Sequence, residues 1–250
     1  CMGATDFKTP NLDRLANEGA RFKCWYSNSP VCSPSRAALL TGRYPANAGV
    51  RAILDGHRKA TGLPKETLTL PKILRDRLGY HTAMSGKWHL GLAEGCRPQD
   101  HGFEQWFGFL AGCVDFFSHI FYWGMNREGP GMNPTHDLWV NNKEVWKNGE
   151  YLTEVITEYS VQALRQAKKA SKPFFLAVGF TKPHLPFVAP KKYWDLYDRD
   201  SFSMPPNSGR PPQWPEDAAF TKANEMQRYV DYVGDGPKDF PESLNKRLLH

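Results

Sequence analysis

The chain has 250 residues, 40% of them hydrophobic, which is enough for one domain or one large lobe to bury a core. Its 32 basic and 26 acidic residues give a net charge of +6 without a long run of one sign, which suits an anionic substrate. The same charge would attract nucleic acid, but no lysine- or arginine-rich helix and no nucleic-acid-binding motif supports that function. The mean hydropathy is −0.57 and no apolar run approaches membrane-spanning length, so the sequence predicts no membrane span.

The amino-terminal part of the chain predicts two helices with a strand between them. Residues 9–19 have the pattern of a short amphipathic helix that begins at Thr-Pro-Asn and ends at a glycine. A weak alternation from Arg21 to Tyr26 predicts a strand. The second helix is predicted to begin at Ser33, a favourable N-cap, with Pro34 in its first position and Gly42 at its carboxyl end.

Cys32 is predicted to lie just ahead of this second helix. Unpaired N–H groups and the helix macrodipole favour negative charge at that position. Arg36 lies about one turn into the helix and can fold back over the same end. This pairing suits a nucleophile whose substrate is an oxyanion, although a buried structural thiol is the common alternative for a single cysteine.

The next elements predict an α/β protein. Residues 67–78 have apolar side chains at helical spacing and are followed by Gly79 and a short strand from Tyr80 to Ser85, a succession that is typical of a mostly parallel sheet. Lys87 and His89 follow this strand directly. Open α/β sheets gather their functional residues at the carboxyl ends of strands, although a lysine and a histidine two residues apart mean little alone.

The middle of the chain is less informative about function. The aromatic residues between Phe103 and Trp123 are expected to form core and cleft wall, with Asp115 and His119 as weaker pocket candidates. Residues 124–134 contain three glycines and two prolines and predict a surface loop. Residues 139–145 predict a hairpin with Asn-Asn at its turn.

A second lysine–histidine pair follows a second predicted strand. A long amphipathic helix is predicted from Leu152, and the continuous apolar run Phe174–Phe180 after it predicts a central strand buried on both faces. Lys182 and His184 come next, so two cationic pairs are expected to converge beside Cys32, unless the histidine merely stiffens its proline-rich loop. A further helix is predicted to begin near residue 243.

Three of these motifs together resemble the type I sulfatase family. They are Cys-Ser-Pro-Ser-Arg followed by Leu-Leu-Thr-Gly-Arg at 32–43, Gly-Lys-Trp-His-Leu-Gly at 86–91, and Lys-Pro-His at 182–184. The resemblance implies an alkaline phosphatase-like α/β fold, a three-layer sandwich whose mixed, mostly parallel sheet has helices on both faces, incomplete in this chain. The run from 173 to 187 resembles iduronate sulfatases, whereas residues 86–89 are closer to arylsulfatases, so the branch stays open.

The resemblance also implies a role for each candidate residue. Cys32 would be oxidised to formylglycine, whose hydrated aldehyde is the nucleophile and one oxygen ligand of Ca²⁺ or Mg²⁺. Arg36 and His89 would be catalytic, with His89 assisting proton removal from the nucleophile. The substrate-binding residues would be Lys87, Lys182 and His184.

The family's metal site needs two carboxylate pairs that this sequence does not match. Asp6 and Asp13 do not fit the first pair, since Asp13 lies within the first predicted helix. Residues 1–250 are therefore expected to be a partial amino-terminal catalytic domain, truncated at both ends, without the first strand and the carboxyl-terminal metal-binding part. Such a fragment is expected to bind no catalytic metal tightly and to be inactive alone.

The expected function is hydrolysis of a sulfate ester on a sulfated carbohydrate or aryl sulfate. The resemblance implies one protein partner, the formylglycine-generating enzyme, and a periplasmic or extracellular location, or a lysosomal one in a eukaryote. Two alternatives stay open, a phosphate or phosphonate monoesterase of the same superfamily and a non-catalytic glycan-binding relative.

Overall fold

A computed structural model describes residues 3, 7–121, 135–202 and 213 of the chain. The chain divides into two compact units, one of residues Trp25–Pro186 and the other of Cys1–Cys24 together with Phe187–His250. All six candidate site residues belong to the first unit, which also contains the sheet.

In chain order the regular elements are α1 (Pro10–Glu18), α2 (Cys32–Thr41), α3 (Leu70–Leu78), β1 (His81–Lys87), a 3₁₀ turn (Pro98–His101), β2 (Gln105–Phe109), β3 (Ile120–Phe121), β4 (Thr135–His136), β5 (Trp139–Val140), β6 (Lys143–Glu144), α4 (Leu152–Lys169), β7 (Phe174–Gly179), α5 (Lys191–Trp194) and a second 3₁₀ turn (Arg199–Ser201).

The main sheet has five strands and is mixed, with both parallel and antiparallel pairs. Its strand order is β6-β5-β2-β1-β7, and β1 pairs in parallel with both β2 and β7. Strands β5 and β6 add an antiparallel edge. Because the carboxyl ends of parallel strands share one edge of a sheet, the residues after β1 and after β7 emerge side by side.

Three glycines bring these strand ends close together. Gly86 is in register with Gly108 on one side and Gly179 on the other. A Cβ on Gly86 would lie 2.1 Å from the Gly179 carbonyl oxygen, and one on Gly108 would lie 2.0 Å from the Gly86 carbonyl oxygen. The backbone φ of Gly86 is 114°, which side chains disfavour, so both space and conformation require glycine there.

The sheet has a helix and an apolar core on each face. One core contains Ala37 of α2 with Met84, Trp106 and Phe175 from the strands. The other contains Phe107 and Phe109 of β2 together with Leu152, Val155 and Ile156 of α4. Neighbouring strand residues point to opposite faces, so Trp106 and Phe107 belong to different cores. The predicted three-layer α/β architecture is confirmed.

Two strand predictions are wrong. Residues 21–26 form no strand, and all six are exposed. Residues 174–180 do not form the central strand of the described sheet, because β7 lies at its edge with Phe174 and Val178 exposed. Strand β1, which lies between β2 and β7, is the strand that is buried along nearly its whole length, and its buried hydroxyls are satisfied by main-chain carbonyls. Thr82 donates to Gly102 O at 2.6 Å and Ser85 to Ile156 O at 3.0 Å, so a polar sequence can be buried on both faces.

Three helix predictions and the hairpin prediction agree with the structure. Helices α1, α3 and α4 form close to their predicted bounds, and Asn141 has the positive φ that the predicted hairpin turn requires. The predicted loop at 124–134 and the predicted helix near residue 243 lie outside the described residues. Among the described residues, no helix combines the length and the apolar character that crossing a membrane requires.

Candidate active site

The first turn of α2 carries the proposed nucleophile. The helix begins at Cys32 itself, with Val31 in an extended conformation as the N-cap, so the prediction that Ser33 caps the helix is wrong. Ser33 is instead completely buried, and its hydroxyl oxygen accepts a hydrogen bond from the Leu54 N–H at 3.1 Å. Cys32 is a half-buried free thiol, and Gly42 ends the helix in the predicted left-handed conformation.

Arg36 joins this helix to the end of β1. Its Nε donates to the Trp88 carbonyl at 2.7 Å, and a terminal nitrogen donates to the Lys87 carbonyl. Burial lowers the pKa of Arg36 to about 10, against the opposing effect of negative charge on Cys32, so the guanidinium stays charged at neutral pH. Gly179 leaves room for this contact, since a Cβ there would lie 3.2 Å from the Arg36 terminal nitrogen.

Lys87 and His89 are both buried beside this arginine. Lys87 is the last residue of β1 and is 5% exposed, and His89 is 2% exposed. His89 has a φ of 57°, a conformation that is uncommon outside glycine. A Cβ at position 112 would lie 2.6 Å from Cε1 of the His89 ring, so Gly112 allows the backbone to pack directly on the imidazole.

The hydrogen bonds of His89 fix its tautomer. Its Nε2 lies 3.1 Å from the Leu54 carbonyl oxygen, which can only accept, so Nε2 carries the hydrogen and donates it. Its Nδ1 is buried and has no hydrogen-bond partner among the described residues. The neutral ring therefore presents a bare lone pair.

Positive charges surround this imidazole. Burial, with smaller contributions from Lys87, Arg36 and His184, lowers the pKa of His89 to about 3, against the opposing hydrogen bond to the Leu54 carbonyl. His89 is therefore neutral at pH 7. Its electrostatic neighbours come from α2, from the end of β1 and from the loop after β7, so these three segments lie close together here. Such a cluster suits an anionic group.

The second lysine–histidine pair is bound differently. The Lys182 ammonium lies 3.8 Å from the centroid of the Phe116 ring and donates to the Pro186 carbonyl at 3.0 Å. Burial lowers the pKa of Lys182 to about 8. His184 donates from Nδ1 to the Leu185 carbonyl at 2.8 Å. The contacts described for Lys182 thus direct it towards an aromatic ring, whereas His184 is electrostatically coupled to His89.

The two weaker pocket candidates have structural contacts. The Asp115 carboxylate accepts hydrogen bonds from the N–H groups of Phe117 and Ser118, which closes a local turn. His119 is completely buried, and its Nε2 donates to the Glu150 carbonyl at 3.1 Å. These bonds hold the segment before β3 in place.

The side chains around Cys32 do not by themselves fit a hard divalent cation. Ca²⁺ and Mg²⁺ require several oxygen ligands. Among the described residues, no group of three or more His, Cys, Asp or Glu side chains is placed to hold a metal ion. The groups that surround His89 are cationic instead.

Sequence reasoning missed the contributions of Leu54, Gly112 and Gly179 to this site. Leu54 acts through its backbone, and its side chain gives no signal of that contact. The two glycines act by leaving space for His89 and Arg36. A functional pattern in the sequence marks side-chain chemistry, so contacts of this kind become visible only in three dimensions.

Comparisons with known proteins agree with this geometry. The Sulfatase family model matches residues 1–234. Mouse arylsulfatase J is 35% identical over 196 residues, covering 77% of this chain and 31% of the relative. Dog N-acetylgalactosamine-6-sulfatase is 34% identical over 217 residues, covering 80% and 40%. The chain therefore spans about a third to two fifths of the length of these two relatives.

Solved structures match the fold as well. The crystal structure of Ps i-CgsB has a TM-score of 0.69 and 31% identity, covering 80% of this chain and 45% of that one. The structure of BT4656 in complex with its substrate D-glucosamine-2-N,6-O-disulfate has a TM-score of 0.62 and 30% identity, covering 82% and 36%. With the family model matched over most of the sequence and the three motifs assembled at one end of the sheet, the chain belongs to the sulfatase family.

Proposed function

We propose that this chain supplies the nucleophile and the anion-binding groups of a sulfuric ester hydrolase that removes sulfate from a sulfated carbohydrate. The observation that carries the proposal is the cluster of Arg36, Lys87 and His184 around the neutral His89, next to Cys32. The substrate class is supported by two similar structures, BT4656 with its glucosamine disulfate and Ps i-CgsB in complex with k-i-k-neocarrahexaose.

The first step is attack on sulfur by a hydroxyl of the hydrated formylglycine derived from Cys32. The new S–O bond forms as the bond between sulfur and the sugar oxygen breaks, and the net transfer of the attacking hydroxyl's proton to the sugar oxygen lets that oxygen leave as the alcohol. Lys87 and His184 stabilise the sulfuryl oxygens as negative charge spreads over them. Arg36 uses two of its N–H groups on main-chain carbonyls, and its buried positive charge adds to the same stabilisation.

The second step releases sulfate and restores the aldehyde. The remaining hydroxyl loses its proton to Nδ1 of His89, a C=O bond forms, and the C–O bond to sulfate breaks with its electron pair on the sulfate. Nδ1 is suited to this role because it is unprotonated and no group in the described part of the chain is hydrogen-bonded to it. A bound sulfuryl group is negative and raises the pKa of His89 above its value in the empty site.

Family membership implies two further requirements, conversion of Cys32 by a formylglycine-generating enzyme and a divalent metal, Ca²⁺ or Mg²⁺. The two steps above describe only the binding and proton transfer for which the described side chains are suited. The proposed location is periplasmic or extracellular, or lysosomal in a eukaryote.

The nucleophile is tested with the Cys32→Ser variant of the catalytically competent protein, by which we mean a form that hydrolyses sulfate esters and has Cys32 converted. Serine has one hydroxyl, so it can form a sulfate ester but cannot expel the sulfate by re-forming an aldehyde. We expect stoichiometric sulfation of the introduced hydroxyl in the variant and formylglycine at position 32 in the parent protein, both detected by peptide mass spectrometry. Rapid multiple turnover by the variant, or an unmodified thiol in an active parent protein, would refute the proposal.

A further inference from the structure

Two buried hydrogen bonds connect Ser33 to His89 through one residue of the intervening loop. The Leu54 N–H donates to the Ser33 hydroxyl oxygen, and the Leu54 carbonyl accepts from Nε2 of His89, each at 3.1 Å. Ser33 is completely buried and His89 is 2% exposed. The side-chain ends of both bonds are therefore shielded from water, whereas Leu54 between them is partly exposed.

These two hydrogen bonds hold the main chain of the loop at Leu54. Within the described residues, no backbone–backbone hydrogen bond involves residues 51–56, which belong to neither a helix nor a strand. The peptide groups of Leu54 are consequently oriented by its two side-chain partners, while its own side chain packs against the apolar core on the α2 face. If its carbonyl turned away, His89 would lose the acceptor that keeps the hydrogen on Nε2.

The position of Ser33 gives this connection a role in the reaction. Ser33 is the neighbour of Cys32 in the first turn of α2, so one turn of helix carries both the nucleophile and the anchor for the histidine. The Gly112 backbone packs against the imidazole edge at Cε1, between the two nitrogens, and limits movement of the ring on that side. Within the part of the chain that the structure describes, Nδ1 has no hydrogen-bond partner.

We propose that Ser33 is a positioning residue: through Leu54 it holds His89 in the Nε2–H tautomer, with Nδ1 ready to accept the proton of the formylglycine hydroxyl. The catalytic part of this inference rests on the proposed function, whereas the tautomer does not. Alanine at position 33 would leave the buried Leu54 N–H without an acceptor and free the loop. Threonine retains the hydroxyl.

The test is the tautomer of His89, measured by nitrogen NMR on the histidine-labelled 250-residue chain with Cys32 unconverted. We expect Nε2–H as the single neutral form in the parent chain, a mixture of both forms in Ser33→Ala, and recovery in Ser33→Thr. Ser160→Ala is the matched control, because Ser160 is also buried and its hydroxyl donates to a backbone carbonyl, Ile156 O at 2.7 Å, in α4. It should match the parent. An unchanged His89 tautomer in a folded Ser33→Ala chain would overturn the proposal.

If Ser33→Ala does not fold, Ser33→Cys replaces it, because a thiol is similar in size but a weak acceptor. It should shift the tautomer in the same direction, and an unchanged spectrum would again overturn the inference. In the converted, competent protein, Ser33→Ala should lower kcat by roughly 10-fold to 100-fold with little change in KM, and the sulfated intermediate should accumulate. If the parent protein hydrolyses no sulfate ester, the proposed function fails, while the tautomer comparison still decides the positioning.

Discussion

The two lysine–histidine pairs have the same spacing, follow neighbouring parallel strands, and nevertheless meet different surroundings. Lys87 ends the interior strand β1 and His89 follows it, both are almost completely buried, and both lie beside Arg36. Lys182 and His184 follow the edge strand of the described sheet and are only partly buried, with Lys182 placed on the ring of Phe116. Sequence spacing therefore places a pair at the site, whereas the depth of its strand in the sheet decides how firmly each side chain is held.

Replacing each lysine in turn gives the largest expected contrast. Lys87→Met should lower kcat/KM of the competent protein by roughly 100-fold to 1,000-fold, because a preorganised buried charge is lost. Lys182→Met should cost about 10-fold, since its ammonium is shared with Phe116 and the Pro186 carbonyl. The measurement is sulfate release from a sulfated sugar, with circular dichroism as the control for folding. Equal losses in the two variants would contradict the comparison.

The free energy of unfolding should depend on pH, because two buried histidines are held neutral in the folded chain. Burial lowers the pKa of His89 to about 3 and that of the completely buried His101 to about 4, below an unfolded value of 6.5. The unfolded chain binds more protons between these values, so the free energy of unfolding decreases as the pH falls from 6.5 towards 4. Each residue should contribute up to about 3 kcal/mol at pH 4, as measured by urea unfolding.

The variant His101→Phe separates the two contributions to acid sensitivity. His101 stacks on Trp88 at 5.6 Å between ring centroids, and phenylalanine retains an aromatic ring there. This variant should lose about half of the pH dependence. A urea midpoint that does not change between pH 6.5 and pH 4 in the parent chain would show that neither histidine is held neutral.

The smallest expected effect is a change in KM at alkaline pH, caused by loss of the charge on Lys182. Because the pKa of Lys182 is lowered to about 8, its charge is present below that pH and is lost as the pH rises through it. The KM for a sulfated substrate should therefore rise a few-fold, by roughly 3-fold, between pH 7 and pH 9. Lys182→Arg should remove this dependence because arginine stays protonated. An identical pH profile in the variant would mean that Lys182 does not meet the substrate.

The sequence predicted most of this architecture because periodicity and helix-ending glycines report on local structure. Helix α3 ends at Gly79 in the predicted left-handed conformation, and α4 runs along the predicted apolar positions from Leu152. The failures involve partners distant in the chain. Residues 174–180 have the hydropathy of a central strand. Hydropathy shows which side chains a strand can bury, but the position of the strand in the sheet depends on the other elements that pack beside it. Ser33 read as a helix cap because its acceptor role depends on Leu54, 21 residues away.

The candidate site was predictable to the extent that its chemistry resides in side chains. Cys32, Arg36, Lys87, His89 and His184 are gathered as the motifs indicated, because strand ends in a parallel sheet meet at one edge. The tautomer of His89 could not be predicted from the sequence, because it depends on the Leu54 carbonyl, which belongs to a loop without regular structure.

The three glycines in register across β2, β1 and β7 have a consequence for how such a site can diversify. Gly86 stands immediately before Lys87 and packs against the main chain of Gly108 and Gly179, so this junction of three strands has no side chains to exchange. Differences in the proposed substrate preference would then have to arise in the surrounding loops, while the main chain beside Lys87 keeps its shape.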